Sequence, residues 1–207
     1  MNFATVIITC PGREASLEKT LLSYAQTDMG NSALVITDIN QHERRQERQE
    51  HNSLTALMEV IKASPTADFI LFCEDDIIFN RHLRHNLENW APLKEFLELP
   101  KQRHFFGSLY DPTIREQEVN EAANYFIADP DSVYGSQCFV MSRIMALYFI
   151  AYWWEVPGMQ DIKMSRLAAR LVSIYYHAPS LVQHVGVVSA WGGPFHDTKM
   201  FDGDFKA

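Results

Sequence analysis

Three consecutive carboxylates, Glu74, Asp75 and Asp76, stand between two apolar runs, Phe69 to Cys73 and Ile77 to Phe79. Adjacent acids repel one another, and apolar flanks add a desolvation cost. A bound cation offsets both. Hard oxygen ligands suit Mg²⁺ or Mn²⁺, ions that commonly bridge a substrate's phosphates. The competing reading is a helix cap with an acidic first turn ahead of residues 77–89; apolar residues on both sides of the acids speak against it. Arg13 follows Cys10-Pro11-Gly12, and a fixed guanidinium there can grip diphosphate oxygens in a bidentate way. Asp161 opens a helical pattern after Pro157-Gly158, where a carboxylate caps the helix or accepts a proton. His184 lies in an apolar segment and by itself reads as a core histidine hydrogen-bonded to backbone.

These residues need a frame. Ala4 to Thr9, Ala33 to Thr37 and Phe69 to Cys73 are short, apolar and rich in β-branched residues, as buried strands are. Between and after them, Ser16 to Gln26, Asn52 to Ala63 and Leu83 to Leu97 carry apolar residues at helical spacing, the last interrupted by Pro92. Three strand–helix units in series predict a parallel sheet with right-handed crossovers. Ligands of such sheets bind at the carboxyl ends of the strands. Here those ends carry Pro11-Gly12-Arg13, Asp38 and the acidic triplet. The second half reads as strands at His104 to Tyr110 and Gln137 to Ser142, helices at Arg143 to Glu155 and Met159 to Leu171, a last apolar segment at Ser180 to Val188, and a tail from Trp191. The expectation is one α/β domain over residues 1–207 with a mixed sheet, in an N-terminal half at 1–100 and a C-terminal half at 101–207.

Composition narrows the function classes. The chain has 207 residues, 47% apolar and 21% charged, which excludes disordered and low-complexity classes. Its 18 basic and 26 acidic residues give a net charge of −8, against a role in coating nucleic acid or anionic membrane. Arg44, Arg45 and Arg48, with Arg81, Arg84 and Arg103, read as a solvated charged face rather than a phosphate surface. Cys10, Cys73 and Cys138 form no CxxC pair and read as reduced thiols. The N-terminus lacks a signal-peptide pattern, and the longest apolar run, Ile144 to Trp154, is short of the ~20 residues that span a bilayer. A cytoplasmic protein is expected.

Taken in order, Val6 to Arg13, Asp38 and Phe69 to Phe79 resemble a GT-A glycosyltransferase. The resemblance implies a Rossmann-like mixed sheet with helices on both faces. It identifies the triplet as the DXD-type motif, with Asp76 holding a divalent metal, Mn²⁺ or Mg²⁺, on a nucleotide sugar's diphosphate. Glu74 and Asp75 then face the ribose and sugar; Glu74 stands where Asp is usual. Pro179 to Gly186, followed by Ser189, resembles the C-terminal segment of N-acetylglucosaminyltransferase-IV-like enzymes, where Gln-His-Val-Gly recurs. That match implies His184 as the second metal ligand. It further implies that Thr9, Pro11 and Arg13 line the nucleotide, that Asp38 and Asn52 face its base or ribose, and that Gly135-Ser136 lies beside the donor sugar. Inverting members place an acidic base at the position of Asp161; Gln160 stands where a second acid is usual. Trp153, Trp154 and Trp191 either stack on an acceptor or fill the core. The function implied is inverting transfer from a UDP-sugar to a hydroxyl of a glycan, metabolite, protein or modified DNA base. A retaining enzyme and a non-catalytic nucleotide- or carbohydrate-binding module are the alternatives. A nucleotidyltransferase is disfavoured because the loop after the first strand has a single glycine.

Overall fold

Apolar, β-branched residues from Phe3 to Thr9 form β1, buried along its whole length. It lies between β2 (Leu34–Thr37) and β3 (Phe69–Glu74), parallel to both. The computed structural model describes residues 1–39, 44–99, 101–112, 124–133, 135–186 and 196–207. Helices α1 (Glu14–Ala25) and α2 (Arg45–Ala63) make the expected connections between these strands. β2 departs from the expected buried strand: it is the sheet's edge, only half-buried, with Thr37 exposed.

The central sheet has seven strands in the order β2-β1-β3-β7-β5-β8-β6. β7 (Cys138–Ser142) runs antiparallel to both β3 and β5 (Phe106–Ser108). Because it is antiparallel, its start lies beside the end of β3: the Glu74 N–H donates to the Gln137 carbonyl at 3.0 Å. The same register sets Cys73 opposite Cys138 with their sulfurs 3.2 Å apart; both are free thiols, as is Cys10. β8 (Ile174–His177) and β6 (Tyr125–Ala128) complete the sheet.

Side-chain alternation divides the core. Val6, Ile8, Ile70 and Phe72 face one side, under α2, α5 (Arg143–Tyr152) and α6 (Gln160–Ala168). Phe3, Ile7, Phe69 and Leu71 face the other, under α1, α3 (Leu83–Asn89) and α4 (Ala91–Glu98). Pro92 separates α3 from α4 as expected, and sits in the first turn of α4, where its missing N–H costs nothing. Each Leu- or Phe-sized side chain so buried contributes roughly 1.5–3 kcal/mol.

Further stretches bear on the sequence reading. The polar segment before Asn52 is helical from Arg45, because Gln49 and Glu50 are buried against α6 rather than solvated. Residues 77–79 are a strand, β4, so the acidic triplet does not start a helix. Within the last apolar segment, Val182–His184 form a strand, β9, which pairs with β4 in a separate two-stranded ribbon. Trp191, Ser189 and residues 40–43 lie outside the described residues. Among the described residues, no helix is long and apolar enough to cross a membrane.

Candidate active site

The site lies where β1 and β3 end, β7 begins, and the β4–β9 ribbon folds over. Thr20 of α1 pins the acidic turn from below. Its hydroxyl lies 2.8 Å from the Asp75 carbonyl and 3.0 Å from the Ile77 carbonyl, and it accepts the Ile77 N–H at 3.1 Å. That clamp turns the buried carboxylates of Asp75 and Asp76 toward the loop after β1. There Arg13 Nε donates to Asp75 at 2.7 and 2.9 Å, and Nη2 reaches Asp76 Oδ2 at 2.5 Å. The Thr9 hydroxyl donates to Asp75 as well. Burial leaves the Asp75 carboxyl above its ordinary value despite Thr9 and Arg13. For Asp76 burial acts in the same direction, but His184 and Arg13 outweigh it and hold the carboxyl below its usual range.

His184 comes to Asp76 through the ribbon. It pairs with Ile77 across β4–β9, and the next N–H, of Val185, donates to the Asp76 carbonyl at 2.8 Å. Its Nδ1 meets the His196 carbonyl at 2.7 Å, which fixes the proton there. Nε2 then faces Asp76 Oδ2 at 3.3 Å. Burial opposes a charge on His184, yet Asp76 and the His196 carbonyl raise its pKa above the ordinary histidine value. The His196 ring stacks on His184, with centroids 4.7 Å apart, and its Nδ1 bonds the Tyr110 hydroxyl at 2.9 Å.

Two observations test whether a cation fits. Asp76 Oδ1 is buried and has no hydrogen-bond partner among the described residues. Gly186 closes over the pair, and a Cβ there would fall 2.2 Å from Asp76 Oδ2 and 2.9 Å from His184 Nε2. A partnerless carboxylate oxygen, an imidazole nitrogen and space kept open by a glycine fit a divalent ion with one oxygen and one nitrogen donor from the protein. Among the described residues, no group of three or more His, Cys, Asp or Glu side chains forms a cation cage. Arg13 holds the same carboxylates from the other side.

The far wall is a polar chain. Glu74 accepts from the Ser136 hydroxyl and, at 3.1 Å, from Gln160 Nε2. Gln160 also bonds Ser136 and Ser53, and its N–H reaches Gln49 Oε1 at 3.4 Å. Burial and then the charge of Asp76 push the Glu74 carboxyl up to about 7. Asp161 accepts the Gly135 N–H at 3.2 Å and the Ile162 N–H at 2.9 Å, and so ties the start of α6 to the 135–136 turn. Gly135 has φ +76°, a conformation that favours glycine. Asn52 donates to the Thr9 carbonyl at 3.3 Å, and the Asp38 N–H donates to the same carbonyl at 2.8 Å.

Of the residues singled out from sequence, Thr9, Arg13, Asn52, Glu74, Asp75, Asp76, Gly135, Ser136, Asp161 and His184 thus form one connected set. Asp38 joins it through its backbone. Pro11 is exposed beside it. Trp153 is core, whereas Trp154 is 57% exposed. Sequence reasoning missed Thr20, Ser53 and His196, whose roles depend on distant partners, and took Gln160 only as standing where a second acid is usual. It passed over Gly186 although the Gln-His-Val-Gly run contains it.

No family model matches the chain, and no curated protein matches its sequence. Solved structures do share its fold. A glycosyltransferase involved in glycosylation of the major capsid of PBCV-1 superposes with a TM-score of 0.52 at 12% identity, covering 90% of this chain and 94% of that one. S. aureus TarS, residues 1–349, gives a TM-score of 0.52 at 13% identity over 86% of this chain, which spans 60% of the TarS structure. At such identities the likeness is one of fold: a single mixed α/β domain with a seven-stranded central sheet.

Proposed function

We propose that this chain is a glycosyltransferase that moves a hexosyl or N-acetylhexosaminyl group from a UDP-sugar to an acceptor hydroxyl, with inversion at the anomeric carbon. The observation that carries the reading is the meeting of Asp76, His184 and Gly186 beside Arg13 at the strand ends, in a fold held in common with glycosyltransferases. Asp76 and His184 would hold Mn²⁺ or Mg²⁺. Such an ion, when bound, neutralises charge on the leaving diphosphate.

The chain's own residues do the rest. Arg13 offers the diphosphate a guanidinium already aimed at the acidic turn. Thr9, Pro11, Asp38 and Asn52 line the base and ribose, and Glu74 and Asp75 face the ribose and sugar. Gly135 lets sugar hydroxyls approach bare backbone, with the Ser136 hydroxyl next to it. Asp161 takes the proton of the acceptor hydroxyl as that oxygen bonds the anomeric carbon and the bond to diphosphate breaks. Its two N–H partners keep the carboxylate in place during the transfer. The reading places the protein in the cytoplasm.

The test is a thermal-shift screen of UDP-sugars with Mn²⁺, followed by product analysis. A bound donor raises the melting temperature by mass action. Asp161→Ala should bind donor and lose turnover, and Asp76→Ala should lose both the Mn²⁺ response and turnover. The anomer of the product distinguishes inversion from retention. A flat screen across all UDP-sugars overturns the reading. Donor binding without transfer to any acceptor would leave a binding module.

A further inference from the structure

Beside the site, between the first turns of α2 and the turn that follows α5, lies an open cleft of about 400 Å³. It is lined by Arg44, Gln46, Glu47, Glu50, His51 and Trp154. None of them has a part in the chemistry above. Trp154 is the unusual member. Its neighbour Trp153 is fully buried, while Trp154 leaves 57% of its surface in solvent. The indole is nonetheless held. The buried Lys163 ammonium lies 5.1 Å from its centroid and the His51 ring 4.9 Å. Around it the polar groups are fixed too: Gln46 Nε2 donates to Glu50 Oε1 at 2.8 Å, and Glu50 pairs with Lys163 at 3.4 Å.

A positioned aromatic face with amide, carboxylate and imidazole groups at its edge matches one ligand chemistry closely. A pyranose ring has an apolar C–H face that stacks on indole and hydroxyls that bond the rim. The basic groups here are already paired with acids, Arg44 with Glu47 at 3.6 Å and Lys163 with Glu50, which disfavours a phosphorylated ligand, and the mixed lining does not suit an apolar helix. The cleft also adjoins the acceptor side of the site. Gln49, which receives the Gln160 N–H, is the residue before Glu50, and Lys163 follows Asp161 by two residues.

We propose that this cleft is a subsite for a neutral acceptor glycan, seating a pyranose ring on Trp154 away from the hydroxyl that attacks. The proposal rests on the transferase reading and sharpens it: the acceptor is an oligosaccharide, and α2 helps to choose it. The test uses intact protein without donor. Binding of chitotriose, cellotriose and maltotriose is followed by saturation-transfer NMR and tryptophan fluorescence in the wild type, Trp154→Ala and Trp154→Phe. The position is largely exposed, so circular dichroism should show both variants folded. We expect binding of at least one trisaccharide, a loss of tenfold or more in Trp154→Ala, and retention within about threefold in Trp154→Phe. The thermal response to UDP with Mn²⁺ should be unchanged in both. Failure of all three sugars to bind, or equal binding by Trp154→Ala, overturns the subsite. Trisaccharide binding at Trp154 with no response to any UDP-sugar would instead overturn the transferase reading and leave a carbohydrate site.

Discussion

Gly186 is the smallest residue of the site and among the least replaceable. A methyl group there would need the space now taken by Asp76 Oδ2 and the His184 ring. Gly186→Ala should therefore push the two donors apart. Overpacking of this kind costs roughly 1–3 kcal/mol. The melting temperature should fall, and Mn²⁺ affinity measured by calorimetry should weaken by tenfold or more; an unchanged Mn²⁺ isotherm would show that the glycine does not shape the ion site. Arg13 acts in the opposite sense. It pairs with both Asp75 and Asp76 and so competes with any cation for them. Arg13→Ala leaves Asp75 with Thr9 and Asp76 with His184 but removes the guanidinium the two buried carboxylates share, which lowers stability without metal. The same change should make the thermal shift on adding Mn²⁺ larger than in the wild type, while the response to UDP-sugar becomes smaller. A Mn²⁺ shift equal to or below the wild type would show that Arg13 and the ion do not share ligands.

Helices α2 and α6 meet through an unusual contact, the buried pair Lys163–Glu50, with Lys163 also donating to the Val156 carbonyl at 2.6 Å. This pair anchors the α6 segment that carries Gln160 and Asp161. Lys163→Met removes one charge and strands the other, a change that typically costs about 3–5 kcal/mol. Denaturant unfolding should show that loss, and Glu50→Gln in the same chain should recover a good part of it; full additivity of the two changes would mean the pair is not coupled. The same contact explains what sequence could and could not disclose. β1, β3 and β7 were legible because strands buried on both faces read as apolar runs wherever they sit. β6 and β8 were not, since each is four residues long and its place depends on distant partners, β8 pairing with both β5 and β6. The start of α2 was ambiguous because Gln49 and Glu50 look solvated until their partners on α6, over a hundred residues away, are known. The acidic triplet and His184 were visible as types of residue, whereas the Gln160–Ser53 link exists only in the folded chain.

The whole molecule closes on itself through its last residues. Asn80 and Asn86 bond the Phe205 carbonyl, and Phe205 packs toward His177 at the sheet's distal end, with Trp90 on the same ring. His177 is fully buried, and its Nδ1 donates to the Pro179 carbonyl at 2.7 Å while Nε2 has no hydrogen-bond partner among the described residues. Burial pulls its pKa down from 6.5 to about 4. The unfolded chain therefore binds a proton more readily than the folded one throughout that interval. The stability owed to a neutral His177 is complete above about pH 6.5 and declines as the pH falls toward 4, by on the order of 3 kcal/mol in all. His177→Phe keeps the ring, forfeits one hydrogen bond worth about 1 kcal/mol, and has nothing to titrate. Its urea midpoint should lie below the wild type's at pH 7.5 and overtake it at about pH 5.8. Parallel midpoints across that range would mean that the junction of sheet, α3 and C-terminal segment does not rest on an uncharged imidazole.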